Sequence, residues 1–72
     1  MLIAMASELE IGVEGGSIVV RDPDSGFYAI YSKPSDQQRL LLERRKPTND
    51  LELVARSSHA AVSKARELGW IV

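Results

Sequence analysis

The chain has 72 residues, nine Lys and Arg against ten Asp and Glu, a formal net charge of −1, no cysteine and one histidine. That length holds a single domain, and a chain so short buries only about 60% of the surface its unfolded form exposes, so its core is marginal unless something else stabilises it. Without cysteine, disulfides and thiolate metal sites are excluded, and the lone His59 gives no basis for a zinc site; oligomerisation is the aid that remains.

A dedicated nucleic-acid-binding domain is usually basic, so the near-neutral balance argues against that class. The charge is uneven, however. Glu8, Glu10 and Glu14 make the first quarter acidic, and Arg39, Arg44, Arg45 and Lys46 form a basic cluster in the middle. The opening Met1-Leu2-Ile3-Ala4-Met5-Ala6 is apolar, but it lacks the length and basic start of a signal peptide. No stretch approaches the roughly 20 apolar residues of a membrane span. The expectation is a soluble, cytoplasmic protein with no membrane partner and no cofactor. Residues 1–7 read either as a loose terminus or as a partner-contacting arm.

Residues 8–14 alternate between polar or small and apolar side chains, the pattern of a strand with one buried face. Gly15-Gly16 then marks a tight primed hairpin turn into a second strand over residues 17–22. A two-residue turn sets the register: Glu14 opposite Ser17, Val13 opposite Ile18, Ile11 opposite Val20, Glu10 opposite Arg21. Apolar pairs fall on one face and an opposite-charge pair on the other. Asp22-Pro23-Asp24-Ser25-Gly26 carries the residue types of a second turn. Its loop, residues 23–26, sets Asp22 opposite Phe27, Val20 opposite Ala29 and Ile18 opposite Tyr31 in a third strand over residues 27–32. Phe27, Ala29 and Tyr31 then join the buried face, and Tyr28 and Ile30 point outward.

Residues 38–45 suit a fourth strand, bounded by Pro34 and Pro47. A helix follows over residues 49–68. Thr48, Asn49 or Asp50 supplies its N-cap, and Leu51, Val54, Ser58, Ala61, Val62, Ala65 and Leu68 form its apolar stripe. Gly69 closes it, Trp70 folds back onto the last turn, and Trp70-Ile71-Val72 offers a short tail strand. The predicted architecture is α+β: a four-stranded antiparallel meander with one C-terminal helix packed on one face.

The run Asp22-Pro23-Asp24-Ser25-Gly26-Phe27-Tyr28-Ala29, the Lys33-Pro34 step and the ending Ala65-Arg66-Glu67-Leu68-Gly69-Trp70-Ile71-Val72 resemble short uncharacterised proteins of alphaproteobacteria. The likeness covers about residues 18 to 72. It implies a bacterial source and carries over no activity and no functional residue. In architecture alone, the predicted sheet followed by a helix is similar to plant AP2-type domains and to the arm-binding domains of phage integrases, with no shared motif.

Chemistry-bearing patterns are sparse. Ser57-Ser58-His59 is the one place where a nucleophile and a base adjoin, but helical neighbours one apart point away from each other. No orienting acid or oxyanion hole is signalled either, so His59 reads as a surface residue. Gly12, Gly15 and Gly16 precede no helix and no Lys-Ser/Thr pair, so they form no phosphate loop. Glu8, Glu10 and Glu14 read as a solvated strand face and not as a metal site.

The outer sheet face is more informative. It gathers Val19, Tyr28, Ile30 and Leu41, fringed by Glu10, Arg21, Arg39, Glu43 and Arg45, which is how an interaction surface looks. The sequence therefore points to a non-catalytic protein-interaction module, not an enzyme. It would join a second copy of itself (a homodimer) or another protein through this face or an edge strand. Its contact residues would be Val19, Tyr28, Ile30, Leu41 and Arg21, with Arg39 and Arg45 helping to set orientation. The alternative is a small nucleic-acid-binding domain whose Arg21, Arg39, Arg44, Arg45 and Lys46 contact phosphates while Tyr28 stacks on a base.

Overall fold

Two glycines set the first hairpin. Gly15 takes φ 60° while Gly16 stays out of the positive-φ region, the combination of a type II′ turn whose twist suits the flanking strands. A computed structural model, describing residues 9–72, places β1 at Glu10–Glu14, β2 at Ser17–Asp22, β3 at Phe27–Ser32, β4 at Leu41–Arg45 and α1 at Leu51–Glu67. The four strands form one antiparallel sheet in the order β1-β2-β3-β4, with the helix packed against it: the expected α+β meander. The predicted arm at residues 1–7 and the predicted start of the first strand at Glu8 lie outside the described residues.

Both expected hairpin registers are observed. The second is locked by the side chain of Asp22, whose carboxylate accepts from the Asp24 backbone N–H (3.2 Å) and the Ser25 hydroxyl (2.9 Å). The Gly26 N–H closes the loop onto the Asp22 carbonyl at 2.9 Å. Asp22 is buried, and these bonds satisfy a carboxylate that burial would otherwise penalise.

Alternation carries Ile18, Val20, Phe27, Ala29 and Tyr31 to the helix side, where they form the core with Leu53, Ala61 and Ala65. Ile11 and Val13 also point to that side, but they remain 40% and 41% exposed because α1 lies chiefly over β2 and leaves β1 poorly covered.

The helix is rotated relative to the expected stripe. Leu53, Ser57, Ala61 and Ala65, spaced by four, are its buried positions, whereas Leu51 is 77% exposed and Ser58 and Leu68 face solvent. Apolarity gives weight to Leu51 and Leu68, and it does not distinguish Ser57 from Ser58. In the core, however, the Ser57 hydroxyl pairs with the Tyr31 hydroxyl at 2.9 Å, so a polar residue becomes the centre of the buried face. Ala61 and Ala65 continue that face, and their small side chains let the helix backbone approach β2 closely.

Asp50 is the N-cap, its carboxylate accepting from the Leu53 N–H at 3.0 Å. At the other end Gly69 takes φ 80°, and its N–H meets the Arg66 carbonyl while that of Trp70 meets the Ala65 carbonyl, the paired bonds of a Schellman closure. Trp70 thereby folds back onto the core, as expected. The tail strand does not form. Ile71 packs against the core and Val72 is exposed; both line a groove with Leu42 of the edge strand β4 without pairing to it. Near the helix end, the Lys64 ammonium donates to Glu67 at 2.8 Å and holds its carboxyl below the usual range. That small contribution is present at neutral pH and disappears as acid protonates Glu67.

The Tyr31–Ser57 pair yields a test. Ser57→Ala strands a buried phenol and should cost about 1–3 kcal/mol in urea unfolding. Tyr31→Phe should cost less, about 1 kcal/mol or under, because a helical serine can turn its hydroxyl to the carbonyl four residues back. The double variant should fall well short of the sum of the two. Additive losses would show that the two hydroxyls act independently.

Candidate interaction surface on the outer sheet face

The outer face is built from cross-strand rows. One row runs Glu10, Arg21, Tyr28; the next runs Gly12, Val19, Ile30, Arg44; the third runs Glu14, Ser17, Ser32, Leu41. Lys46 extends the first row, since its backbone N–H donates to the Tyr28 carbonyl at 3.0 Å. Glu10, Glu14, Val19, Arg21, Tyr28, Ile30 and Arg44 line a shallow cleft of about 460 Å³, which continues past Asp22, Pro23, Gly26 and Phe27 at the end of the second hairpin.

Of the five expected contact residues, Val19, Tyr28, Ile30 and Arg21 meet in this cleft. Leu41 shares the face at the far row, outside the cleft lining. Val19 is only 5% exposed although no helix of the described residues covers this side. Its neighbour on β1 is Gly12, which has no side chain, and Arg21 stretches along the face until its guanidinium stands 3.9 Å from Glu14. The exposed apolar surface belongs to Tyr28, Ile30 and Leu41.

The basic cluster is divided. A register shift between Ile30 and Tyr31 pairs Tyr31 with Leu42 and Ile30 with Arg44, which leaves Glu43 as the extra residue of a β-bulge. Regular alternation would put Glu43 and Arg45 outward. The bulge instead turns Arg44 outward and carries Arg45 to the helix side, opposite Ala29. Glu43 stays on the outer side, accepting from the Ser32 hydroxyl.

The expected fourth strand is also shorter than residues 38–45, because residues 38–40 are irregular. Arg39 lies in that loop, donating to Gln37 at 2.8 Å, and lines a groove on the helix side beside Leu42, Val62 and Ile71. The predicted placement of Arg39 and Arg45 on the outer rim is therefore corrected. Arg21 and Arg44 line the cleft, Lys46 stands at its rim near Gly26, and the other two basic residues lie elsewhere.

Three participants are absent from the interface that the sequence predicts: Glu14, Arg44 and Gly12. Alternation along β1 was the available signal for Glu14, which shares its face with Glu10. A glycine inside a strand was the available signal for Gly12, since it often marks a place where something approaches the backbone. A Cβ at Gly12 would meet nothing within 4 Å, so the face carries an open notch there, between Glu10 and Glu14.

Ser57, Ser58 and His59 form no dyad. Ser57 is spent on Tyr31 inside the core, and the other two are exposed on the helix. Among the described residues, no group of three or more His, Cys, Asp or Glu stands close enough to hold a metal ion, and no helix is long and apolar enough to cross a membrane. No known protein family, curated protein or solved structure matches the chain.

The bulge makes deletion of Glu43 informative. Removing it leaves Leu41 and Arg44 outward and Leu42 and Arg45 inward, now as an unbroken alternation. The variant should keep cooperative unfolding within about 1 kcal/mol of the parent, since it loses one exposed hydrogen bond. Deleting Leu42 instead would displace an inward side chain and should cost more. Loss of cooperative folding on deletion of Glu43 would contradict the bulge.

Proposed function

We propose that the protein is a non-catalytic interaction module that associates with a second copy of itself through the outer face of its sheet. The observation that carries this reading is the cleft over β1–β4, where Tyr28 and Ile30 stand half-buried, with no covering layer among the described residues, inside a ring of Glu10, Glu14, Arg21 and Arg44. An aromatic and a branched aliphatic anchor at the centre of a charged rim is the usual anatomy of an interface. A chain of this size also gains stability by burying such a face.

Nucleic-acid binding by the same face has less behind it. Two of the five basic residues line the cleft, and Glu10 and Glu14 lie among them.

Solution mass by light scattering, over a range of protein concentration and with a mixed-sequence DNA duplex as a second arm, tests the proposal. The expected result is a concentration-dependent dimer that ignores the duplex. Ile30→Glu should make it monomeric while leaving the helical circular-dichroism signal intact. A dimer unchanged by Ile30→Glu would overturn the assignment to this face. A monomer whose mass rises only with DNA at low salt would favour the basic residues and a phosphate partner.

A further inference from the structure

Of the two aligned ways of stacking two copies on the outer face, the charges there favour one. Glu10 and Glu14 lie on β1, while Arg44 and Lys46 lie on or just beyond β4 at the opposite edge, three strand spacings or about 14 Å away. We propose that two copies pack sheet to sheet about a two-fold axis running parallel to the strands. Arg44 of each copy then enters the Gly12 notch of the other, between Glu10 and Glu14. This rests on the self-association proposed above and specifies its geometry.

Two in-plane two-fold axes bring the outer faces together with the strands of the two copies aligned. An axis parallel to the strands keeps each cross-strand row in place and reverses the order of strands, so β1 of one copy covers β4 of the other. In the first row Glu10 then meets Lys46. In the second, Val19 meets Ile30 and Arg44 meets Gly12.

An axis perpendicular to the strands keeps strand order and reverses the rows. It sets Glu10 over Glu14 twice and Arg44 over Arg44, which like-charge repulsion opposes. It gains only a contact between Lys46 and Glu43. The parallel axis brings Glu14 near Glu43, also twice. Glu43 already accepts from the Ser32 hydroxyl in its own chain. An isologous contact requires each patch to be the complement of the other, and acid at one edge with base at the opposite edge meets that requirement about the parallel axis.

The notch gives the fit. Space is open where a Gly12 side chain would stand, and the backbone there is not in the positive-φ region, so the glycine is not required for its conformation. Four strands by five residues make a face of roughly 19 by 17 Å. That is small beside the roughly 800 Å² per partner of a standard interface, so the dimer is expected to dissociate in the micromolar range or above.

The experiment follows four variants of the full chain by sedimentation equilibrium, Ile30→Glu among them. Glu10→Lys with Glu14→Lys makes both edges basic, and Arg44→Glu with Lys46→Glu makes both acidic. Each should weaken self-association at least about tenfold, the equivalent of one well-placed charge contact. An equimolar mixture should form a heterodimer, because every edge then meets its opposite.

Gly12→Val fills the notch. It should raise the thermal midpoint, since valine suits a strand better than glycine, while weakening the dimer. If both charge variants and Gly12→Val dimerise like the parent while Ile30→Glu does not, the face is right and the axis is wrong. If the parent is monomeric up to about 1 mM, the self-association reading fails and this inference with it.

Discussion

One helix covers one face of a four-stranded sheet, and that constraint governs the rest of this molecule. On the covered side, α1 approaches closely because Ala61 and Ala65 are small and because Ser57 answers the hydroxyl that Tyr31 presents to the core. The contact is centred on β2. Cover therefore runs out toward β1, leaving Ile11 and Val13 partly wet, and toward β4, leaving the groove beside Leu42. On the other side no element of the described residues is available. Val19 is nonetheless buried, while Tyr28 and Ile30 keep part of their surface in water.

What the sequence made legible was whatever depended on local chemistry. Gly15-Gly16 dictated a turn length, the turn length dictated a register, and the register placed every side chain of β1, β2 and β3 on its observed face. Asp50, Gly69 and Trp70 marked the helix ends for equally local reasons. Features that depend on tertiary contact were hidden. Ser57 looks polar until Tyr31 is known to lie beneath it. The bulge at Glu43 had no signal, because Glu43-Arg44-Arg45 is charged throughout and alternation cannot assign a face to such a run. The apolar centre of the candidate site and Arg21 were therefore readable, while Arg39 and Arg45 were misassigned to its rim.

The bulge is also what gives the outer face its polarity. In a regular β4, Glu43 and Arg45 would point outward and Arg44 would face the helix. One extra residue puts Arg44 level with Ile30 and Gly12, across the sheet from the two β1 carboxylates. Bulges are found where a strand must re-aim a side chain. Here the re-aimed guanidinium joins the cleft, and the resulting separation of acid and base across one face is the physical basis of the proposed association. Salt should weaken that association modestly, because its charges lie at the rim while Tyr28 and Ile30 supply the apolar centre.

The central claim is that the uncovered sheet face meets its own copy, and backbone amide chemical shifts followed across a dilution series test it most directly. Shifts should change with concentration at Gly12, Val19, Tyr28, Ile30 and Arg44, while the exposed helix amides of Ala55, His59 and Ser63 stay fixed. Changes confined to the helix or to the groove beside Leu42, or no change at any concentration, would contradict it.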